Sequence, residues 1–192
     1  MNKLSFRNEF KRKLVHFASS IIGISIILFD RETVLPLLLI FSIVFPFLDY
    51  LRIKNEAVSD FYYTYFNTIT RPFESSQLTG ASFVFLGSLL TYILFDQQIA
   101  GISLIIMSLS DAMAAIIGVG IGKTKLLNKT LEGTFAFFMT TYIILYLFNI
   151  PLLIGLLVAF VGSLAELIEI PKVNDNISIP IVVGFMLTIA GV

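Results

Sequence analysis

The residue with the greatest chemical potential is Asp111, a carboxylate inside a long apolar segment. A charged side chain at that depth is costly unless it faces a polar cavity, a cation or another partner. Ser108, Gly118 and Gly122 share its helical face by their three- and four-residue spacing, so this face is small and polar. We expect Asp111 to belong to a ligand site. The alternative is a carboxylate paired with a lysine or hydroxyl for packing alone.

A glycine-rich run at 118–122 follows, closed by Lys123. Repeated glycines let the backbone approach a phosphate closely, and the lysine adds positive charge. The run is not a Walker A loop, because that motif needs four residues between its first glycine and the Gly-Lys pair. We expect Gly118, Gly122 and Lys123 to contact a nucleotide. A flexible helix exit followed by cytoplasmic lysines is the alternative.

A second short motif, Lys129-Thr130-Leu131-Glu132-Gly133, enters the next apolar segment. Lys129 and Glu132 share a face if the segment is helical, and Thr130 is a suitable helix cap. Lys129 and Glu132 are therefore candidate site residues, with helix capping as the alternative for this motif.

Further carboxylates lie near the end of the sixth apolar segment. Glu166 and Glu169 share one stripe, and Asp175-Asn176 follow in a connection. Carboxylate and amide oxygens are the hard ligands that Mg²⁺ prefers, usually together with substrate phosphates and water. Glu166 and Asp175 are candidate Mg²⁺ ligands beside Asp111, although a solvated loop would also explain Asp175.

Two more polar groups lie towards the amino end. Arg12, Lys13 and His16 fall within about one turn of the first segment, where they could bind a phosphate or simply be cytoplasmic charges. The start of the third segment carries another set: Arg71, Glu74, Thr79 and Gly80.

The elements that must position these residues are membrane helices. Of the 192 residues, 57% are hydrophobic and only 14% are charged, and the mean hydropathy is +0.92. A soluble domain typically carries about 25% charge. Lipid requires that backbone polar groups be satisfied within each segment, and the alternating pattern of a β-barrel is absent. We predict an all-α, polytopic integral membrane bundle forming one domain over 1–192.

Seven apolar segments set the topology, at roughly 14–29, 33–53, 80–95, 98–119, 133–149, 152–170 and 179–192. Twelve of the 13 Lys and Arg residues fall in connections on one side, and only Arg31 falls on the other. The positive-inside rule makes the twelve-residue side cytoplasmic, so the amino end and the candidate site face the cytoplasm. The aromatic stretch 61–66 could lie flat at the headgroups or serve as an interfacial anchor.

Composition also excludes several functions. The net charge is zero, so no nucleic-acid partner is expected. The absence of cysteine excludes disulfides, thiolate catalysis and cysteine metal sites, and the single histidine excludes a multi-histidine metal site. Taken together, the remaining polar groups indicate phosphoryl transfer. That reaction needs carboxylates that bind magnesium, basic groups that bind the phosphates and a glycine-lined site that the nucleotide can reach. Helices opening to lipid would admit an apolar substrate from the bilayer.

The motifs, taken in order, resemble those of the polytopic CTP-dependent lipid kinases, which include dolichol kinase, phytol kinase and CTP-dependent diacylglycerol kinase. The segments 12–16, 78–82, 118–123, 129–133 and 175–180 match in family order, and 110–115 looks like the family's "GD-x-x-A-A" core. Ser110 replaces the usual glycine of that core, and Thr130 replaces the usual serine of "K-S-x-E-G".

This resemblance implies transfer of the γ-phosphoryl group of CTP to the hydroxyl of a membrane lipid alcohol. A polyprenol or dolichol-type isoprenoid is favoured, and diacylglycerol is the other substrate considered. Asp111 would be the principal Mg²⁺ ligand, supported by Glu166 or Asp175, and Glu132 would orient Lys129 or bind metal. The nucleotide would be contacted by Arg12, Lys13, Gly118, Gly122, Lys123, Lys129 and Asn176. The lipid entry would involve His16, Glu74, Thr79 and Gly80.

Two rival functions stay open on the sequence alone. A phosphatidate cytidylyltransferase-like enzyme would use the same metal and CTP but release pyrophosphate instead of CDP. A small membrane transporter would place binding groups near the midplane at broken helices. The sequence selects neither the particular lipid alcohol nor an oligomeric state.

Overall fold

The computed structural model describes residues 6–168 and 173–192, so Lys3, Glu169 and Lys172 lie outside the described residues. The helices, in chain order, are α1 (Phe6–Ala18), α2 (Ser20–Leu28), α3 (Arg31–Lys54), α4 (Glu56–Phe66), a 3₁₀ helix (Pro72–Ser76), α5 (Gly80–Leu94), α6 (Gln97–Gly120), α7 (Leu131–Leu147), α8 (Leu152–Leu167) and α9 (Asp175–Ile189). The predicted helical class is confirmed.

The boundaries differ from the prediction in three places. The first predicted segment is interrupted at Ser19, whose hydroxyl donates to the carbonyl of His16 at 2.5 Å and so competes with the helical ladder. The last helix begins at Asp175, because the Asn174 side chain caps it by accepting from the backbone of Asn176 at 3.0 Å. The aromatic stretch 61–66, in the predicted connection between the second and third segments, lies in a helix of its own, α4.

A short hairpin between α6 and α7 was not predicted. Strands β1 (Lys125–Leu126) and β2 (Lys129–Thr130) pair antiparallel, with Lys125 opposite Thr130. Leu127, in the turn, has a φ of 53°, an uncommon conformation for a residue with a side chain. The hairpin therefore determines the position of Lys129.

Helix α6 lies at the centre of the bundle. It packs against α1, α2, α5, α7 and α9, and every residue from 99 to 108 is buried. Glycines allow α2 to approach closely, since a Cβ added at Gly23 would lie 2.6 Å from the carbonyl oxygen of Gly101. Asp111 therefore lies on a helix that is surrounded by several others.

The outer surface is apolar over much of its area. Helices α3 and α6 are long and apolar enough to cross a membrane, while α5, α7, α8 and α9 are shorter apolar helices. Among the exposed side chains of α3 are Leu37, Ile40, Ile43, Phe47 and Leu48. A soluble monomer rarely exposes apolar patches of this kind.

Helix α1 has the opposite arrangement from a water-soluble surface helix. Lys13 is only 4% exposed, whereas Val15 is 58% exposed and Leu14 and Phe17 are also exposed. Arg7 and Lys11 are also exposed, but Lys13 turns towards α6, which places one cation beside the centre of the bundle.

Candidate functional site

The site begins where α1 meets α6. Lys13 Nζ forms an ion pair with Asp111 Oδ2, and His16 Nε2 lies 3.0 Å from the same oxygen without forming an aligned hydrogen bond. The two residues are three positions apart on α1 and therefore share a face. The Asp111 side chain is 13% exposed. The sequence analysis expected a ligand site at Asp111 and gave pairing with a lysine as the alternative; the structure shows a lysine pair, and the sequence did not identify Lys13 or His16 as the neighbours.

Hydroxyl groups line the same part of α6. Ser19 and Ser108 share a hydrogen bond of 2.8 Å between their hydroxyls. Thr141 of α7 donates to Ser110 Oγ at 2.9 Å, and both residues are buried. The serine that departs from the kinase motif therefore ties α6 to α7.

A second ion-pair group is centred on Lys129. Its Nζ lies 3.0 Å from Glu166 Oε1 and 3.2 Å from Asp175 Oδ2, and it also donates to the backbone oxygen of Glu166. Thr134 Oγ1 lies 3.4 Å from Glu166 Oε2. The structure thus brings together three residues that the sequence placed in one site, from the hairpin, α8 and α9.

Electrostatics connects the two groups. Burial acts to lower the pKa of Lys129, but the carboxylates of Asp175 and Glu166, and more weakly that of Asp111, outweigh it and raise this pKa above its usual value. Lys129 is consequently a fixed cation near neutral pH. Because Asp111 contributes to this effect, its ion-pair group and that of Lys129 are neighbours.

Glu132 organises the turn after α6. Its Oε1 accepts from the backbone N–H groups of Lys123 at 3.1 Å and Thr124 at 3.0 Å. Backbone hydrogen bonds, from its own N–H and from those of Lys123 and Thr124, lower the pKa of Glu132. The sequence expected this carboxylate to orient Lys129 or bind metal, and its contacts are with the turn backbone instead.

The glycines around the turn are in close contact with neighbouring residues of the bundle. A Cβ at Gly118 would lie 2.9 Å from Thr130 Oγ1, and one at Gly133 would lie 2.8 Å from the carbonyl oxygen of Ala114. Gly122 is crowded in the same way by Gly118 and Thr130. Thr130 caps α7 by accepting from the Gly133 N–H at 3.2 Å, as predicted. These glycines serve close packing of α6 and α7, and Lys123 is exposed.

The sequence interpretation missed a buried group at the end of α3. Asp49 Oδ2 accepts from Thr79 N at 2.7 Å, Thr79 Oγ1 at 2.9 Å and Ser82 Oγ at 2.6 Å. Its Oδ1 accepts from Arg52 Nε at 3.2 Å. Asp49 and Arg52 are 4% and 3% exposed. An acidic residue three positions before an arginine, inside an apolar run, was the available signal.

Arg52 holds the connection that follows α4. It donates to the backbone oxygens of Glu74 and Gln77, both at 2.8 Å, and to Tyr63 OH at 3.2 Å. Its guanidinium lies 5.0 Å from the centre of the Tyr62 ring. Residues expected at a lipid entry, Glu74 and Thr79, are therefore buried around the Asp49–Arg52 pair.

Other predicted residues lie around these groups. Gly80 begins α5, and its carbonyl accepts from Asn176 Nδ2 at 3.3 Å, so these two candidates meet each other. Arg12 contacts Glu9 Oε1 at 2.5 Å, and Arg71 lies 3.6 Å from the same oxygen. Burial acts to raise the pKa of Glu9, but Arg12 above all, with Arg71, holds it below its ordinary value.

The carboxylates of the two ion-pair groups do not form a metal site by themselves. Among residues 6–168 and 173–192, no three His, Cys, Asp or Glu side chains gather in a group that could hold an ion. Asp111, Glu166 and Asp175 are nevertheless hard oxygen donors in neighbouring groups. Mg²⁺ is commonly held by one or two carboxylates, with substrate phosphates and water completing the shell.

Comparison with known proteins gives the chain a family. No family model matches it, and no solved structure matches it. It is 30% identical over 192 residues to the uncharacterized protein RP860 of Rickettsia prowazekii, covering 94% of each chain. It is 29% identical over 187 residues to the uncharacterized protein MJ1137 of Methanocaldococcus jannaschii, covering 93% of this chain and 92% of the relative. The chain belongs to the same family as RP860.

Proposed function

We propose that this protein is an integral membrane, CTP-dependent lipid kinase that phosphorylates a lipid alcohol, with a polyprenol or dolichol-type alcohol as the favoured substrate. The observation that carries the proposal is the pair of neighbouring ion-pair groups, Lys13–Asp111–His16 and Lys129 with Glu166 and Asp175. The choice of CTP and of the lipid class rests on the motif resemblance.

The membrane part of the proposal is supported by which side chains face outward. On α1, Lys13 is buried while Leu14, Val15 and Phe17 are exposed, and α3 exposes an apolar face along its length. Lipid is the solvent in which this arrangement is favourable. We further propose that the seven apolar segments cross the bilayer, with the amino end and the site on the cytoplasmic side that carries twelve of the 13 basic residues.

The ion pairs suggest how the site would receive its substrate. In an ion pair of this kind, the carboxylate can exchange the lysine for a metal ion, and the lysine can exchange the carboxylate for a phosphate. Neither charge is then left unpaired inside the protein. Asp111 with Glu166 or Asp175 would hold Mg²⁺, while Lys13 and Lys129 would bind the phosphates. Mg²⁺ would supply neutralisation of the charge on the transferring group.

The residues then act mainly by positioning. The lipid hydroxyl oxygen forms a bond to the γ-phosphorus, the bond from that phosphorus to the bridging oxygen breaks, CDP leaves, and the hydroxyl proton passes to solvent water. Lys13 and Lys129 orient the γ-phosphate and stabilise its charge throughout. Lys13, which is buried, and Lys129, which is partly buried, already lie in the site beside their carboxylates before the substrate arrives.

The test is phosphoryl transfer by purified protein in nanodiscs, with γ-labelled CTP and a panel of polyprenol, phytol and diacylglycerol. We expect labelled lipid phosphate and CDP, and we expect Asp111→Asn to abolish both. Asp96→Asn is the matched control, because Asp96 is an exposed carboxylate at the opposite end of α6 whose side chain makes no capping hydrogen bond. Full turnover by folded Asp111→Asn protein would refute the assignment, and release of pyrophosphate would indicate nucleotidyl transfer instead.

A further inference from the structure

The tip of the β1–β2 hairpin carries a leucine that the protein does not use for packing. Two residues join the strands, and Leu127, the first of them, has a φ of 53°. Glycine, and after it asparagine or aspartate, is preferred at such a position, because a positive φ strains the backbone of a leucine. The Leu127 side chain is nevertheless 71% exposed. Neither backbone geometry nor packing within the described part of the chain therefore accounts for a leucine here.

An apolar stripe begins beside the hairpin and follows the outer face of α7. The backbone N–H of Leu131, the first residue of α7, donates to the carbonyl of Thr124 at 2.9 Å, so the stripe and the hairpin meet. From there, exposed apolar side chains recur every three or four positions, which places them on one face of the helix. They are Leu131, Phe135, Met139, Ile143 and Tyr146. The apolar outer surface of the bundle therefore extends along α7 to the base of the hairpin.

Two lysines lie close to the tip in the chain. Lys123 and Lys125 are exposed, and the segment 118–131 contains no acidic residue. The third lysine of this segment, Lys129, is held in the site by Glu166 and Asp175. Exposed lysines next to exposed apolar residues are typical of segments at a membrane surface, where apolar groups enter the lipid and ammonium groups meet anionic headgroups.

We propose that the hairpin is a lipid-contacting element, in which Leu127 inserts into the headgroup layer while Lys123 and Lys125 bind the phosphates of anionic glycerophospholipids. The proposal rests on the membrane part of the proposed function and does not depend on the kinase reaction. Lipid is favoured over a protein partner because the hairpin is continuous with the α7 stripe, which the proposed orientation places in the bilayer. The positive charge of the two lysines complements that of the headgroups.

The hairpin is fixed to the bundle, so the helices determine the depth of its tip. Thr130 fills the space beside Gly122, and Lys129 Nζ lies 3.0 Å from Glu166 Oε1. Leu127 is only two residues before Lys129, so the lipid contact and the ion-pair group are joined by one short strand. A lipid contact at the tip would therefore hold Lys129 in a fixed position relative to the bilayer, from which the alcohol substrate enters.

The first test measures the depth of Leu127 by spin labelling of the full chain. The protein has no cysteine, so Leu127→Cys carries a nitroxide at a single position. In vesicles of phosphatidylcholine and phosphatidylglycerol, collisions of the nitroxide with O₂, which concentrates in lipid, are compared with its collisions with a water-soluble nickel chelate. Ile43→Cys, at an exposed position in the middle of α3, is the lipid reference. Glu56→Cys, exposed at the start of α4, is the water reference.

We expect the ratio of O₂ to nickel collisions at Leu127 to lie above that at Glu56 and below that at Ile43, as befits the headgroup layer. A ratio equal to that at Glu56 would overturn the inference. Shielding of the Leu127 label from both reagents would overturn it as well, because it would indicate contact with protein, such as a second copy of the chain.

The second test concerns the charges and uses the same label at Leu127. One lysine near an anionic surface contributes about a fivefold change in an equilibrium, so Lys125→Gln should lower the ratio of inserted to water-exposed label about fivefold in vesicles containing phosphatidylglycerol. In vesicles of phosphatidylcholine alone, the same substitution should have no effect. Lys54→Gln is the matched control, because Lys54 is an exposed lysine at the end of α3, outside the hairpin. Equal insertion with and without Lys125 in the anionic vesicles would overturn the assignment of anionic lipid as the partner.

The two proposals can fail separately. If the Ile43 label is in lipid but the Leu127 label is in water, the membrane part of the proposed function stands and the hairpin assignment falls. If both labels are in water, the membrane part falls too. If the Leu127 label is in the headgroup layer yet no lipid alcohol is phosphorylated, the hairpin assignment stands and the kinase function falls.

Discussion

Asp49, which is buried, and Asp111, which is partly buried, each lie near a cation, and they are satisfied in different ways. Asp49 accepts from a backbone N–H, two hydroxyls and the guanidinium of Arg52, all at fixed positions near the start of α5. Asp111 has the flexible side chain of Lys13 and the His16 ring as its neighbours, both at Oδ2. The first arrangement leaves little capacity for a ligand. The second can exchange its partners.

The difference shows that burial of a charge does not by itself indicate function. A carboxylate surrounded by backbone and hydroxyl donors from neighbouring elements holds those elements together. One that is paired with long cationic side chains, next to a second ion-pair group, is poised to bind another charged species. We therefore assign Asp49 to the scaffold and Asp111 to chemistry, and the predictions below test that division.

The largest effect is expected from removing both charges of the Lys13–Asp111 ion pair. Replacing a buried ion pair by apolar residues of similar volume is often neutral or stabilising, by about 1–4 kcal/mol. The double variant Lys13→Met with Asp111→Leu should therefore be at least as stable as wild type in thermal unfolding, yet have no detectable kinase activity. Loss of about 10³-fold or more is expected, because the phosphate contact and the metal ligand are both removed. An active or unfolded double variant would contradict the assignment.

A smaller effect, on stability, is expected at Asp49. Asp49→Ala leaves Arg52 buried without its carboxylate, which should lower the free energy of unfolding by about 3–5 kcal/mol. Denaturant titration in detergent measures this loss, with Asp60→Ala on the exposed face of α4 as the control.

The corresponding double variant distinguishes the two aspartates most directly. Asp49→Leu with Arg52→Met should remain destabilised, because Thr79, Ser82 and the backbone oxygens bound by Arg52 lose their partners, each at a cost of about 1–3 kcal/mol. Full recovery of stability in this variant would show that Asp49 and Asp111 are alike, and the division would then be wrong.

The helical class could be read from the sequence because continuous apolar runs leave few alternatives. The grouping of Lys129, Glu166 and Asp175 was also predictable, since their segments end on the same side of the predicted bundle. Which residues pair was not predictable. The pairing of Lys13 with Asp111 depends on how α1 rotates against α6, and the contact of Asp49 with Thr79 joins residues 30 positions apart through packing of α3 on α5.

The β1–β2 hairpin and the role of Glu132 escaped prediction for a related reason. The spacing of Lys129 and Glu132 was interpreted on a continuous helix, but α7 begins only at Leu131, so Lys129 lies in a strand. The carboxylate of Glu132 then meets the backbone of the preceding turn. A two-residue strand leaves no periodic signal in a sequence, so only the folded structure reveals it.

The smallest effect is expected at this turn, where the Glu132 carboxylate accepts from two backbone N–H groups near the surface. Because the pKa of Glu132 is lower in the folded protein, its contribution is present above its unfolded pKa, about 4.5, and is lost as the pH falls through the lower folded value. After correction for intrinsic exchange rates, hydrogen exchange of the Lys123 and Thr124 amides should therefore show constant protection near neutral pH and lose it in acid below 4.5. Glu132→Gln should reduce that protection at neutral pH and remove its acid dependence. If the wild-type amides stay equally protected throughout, the turn is held by its packing on Thr130 and not by the carboxylate.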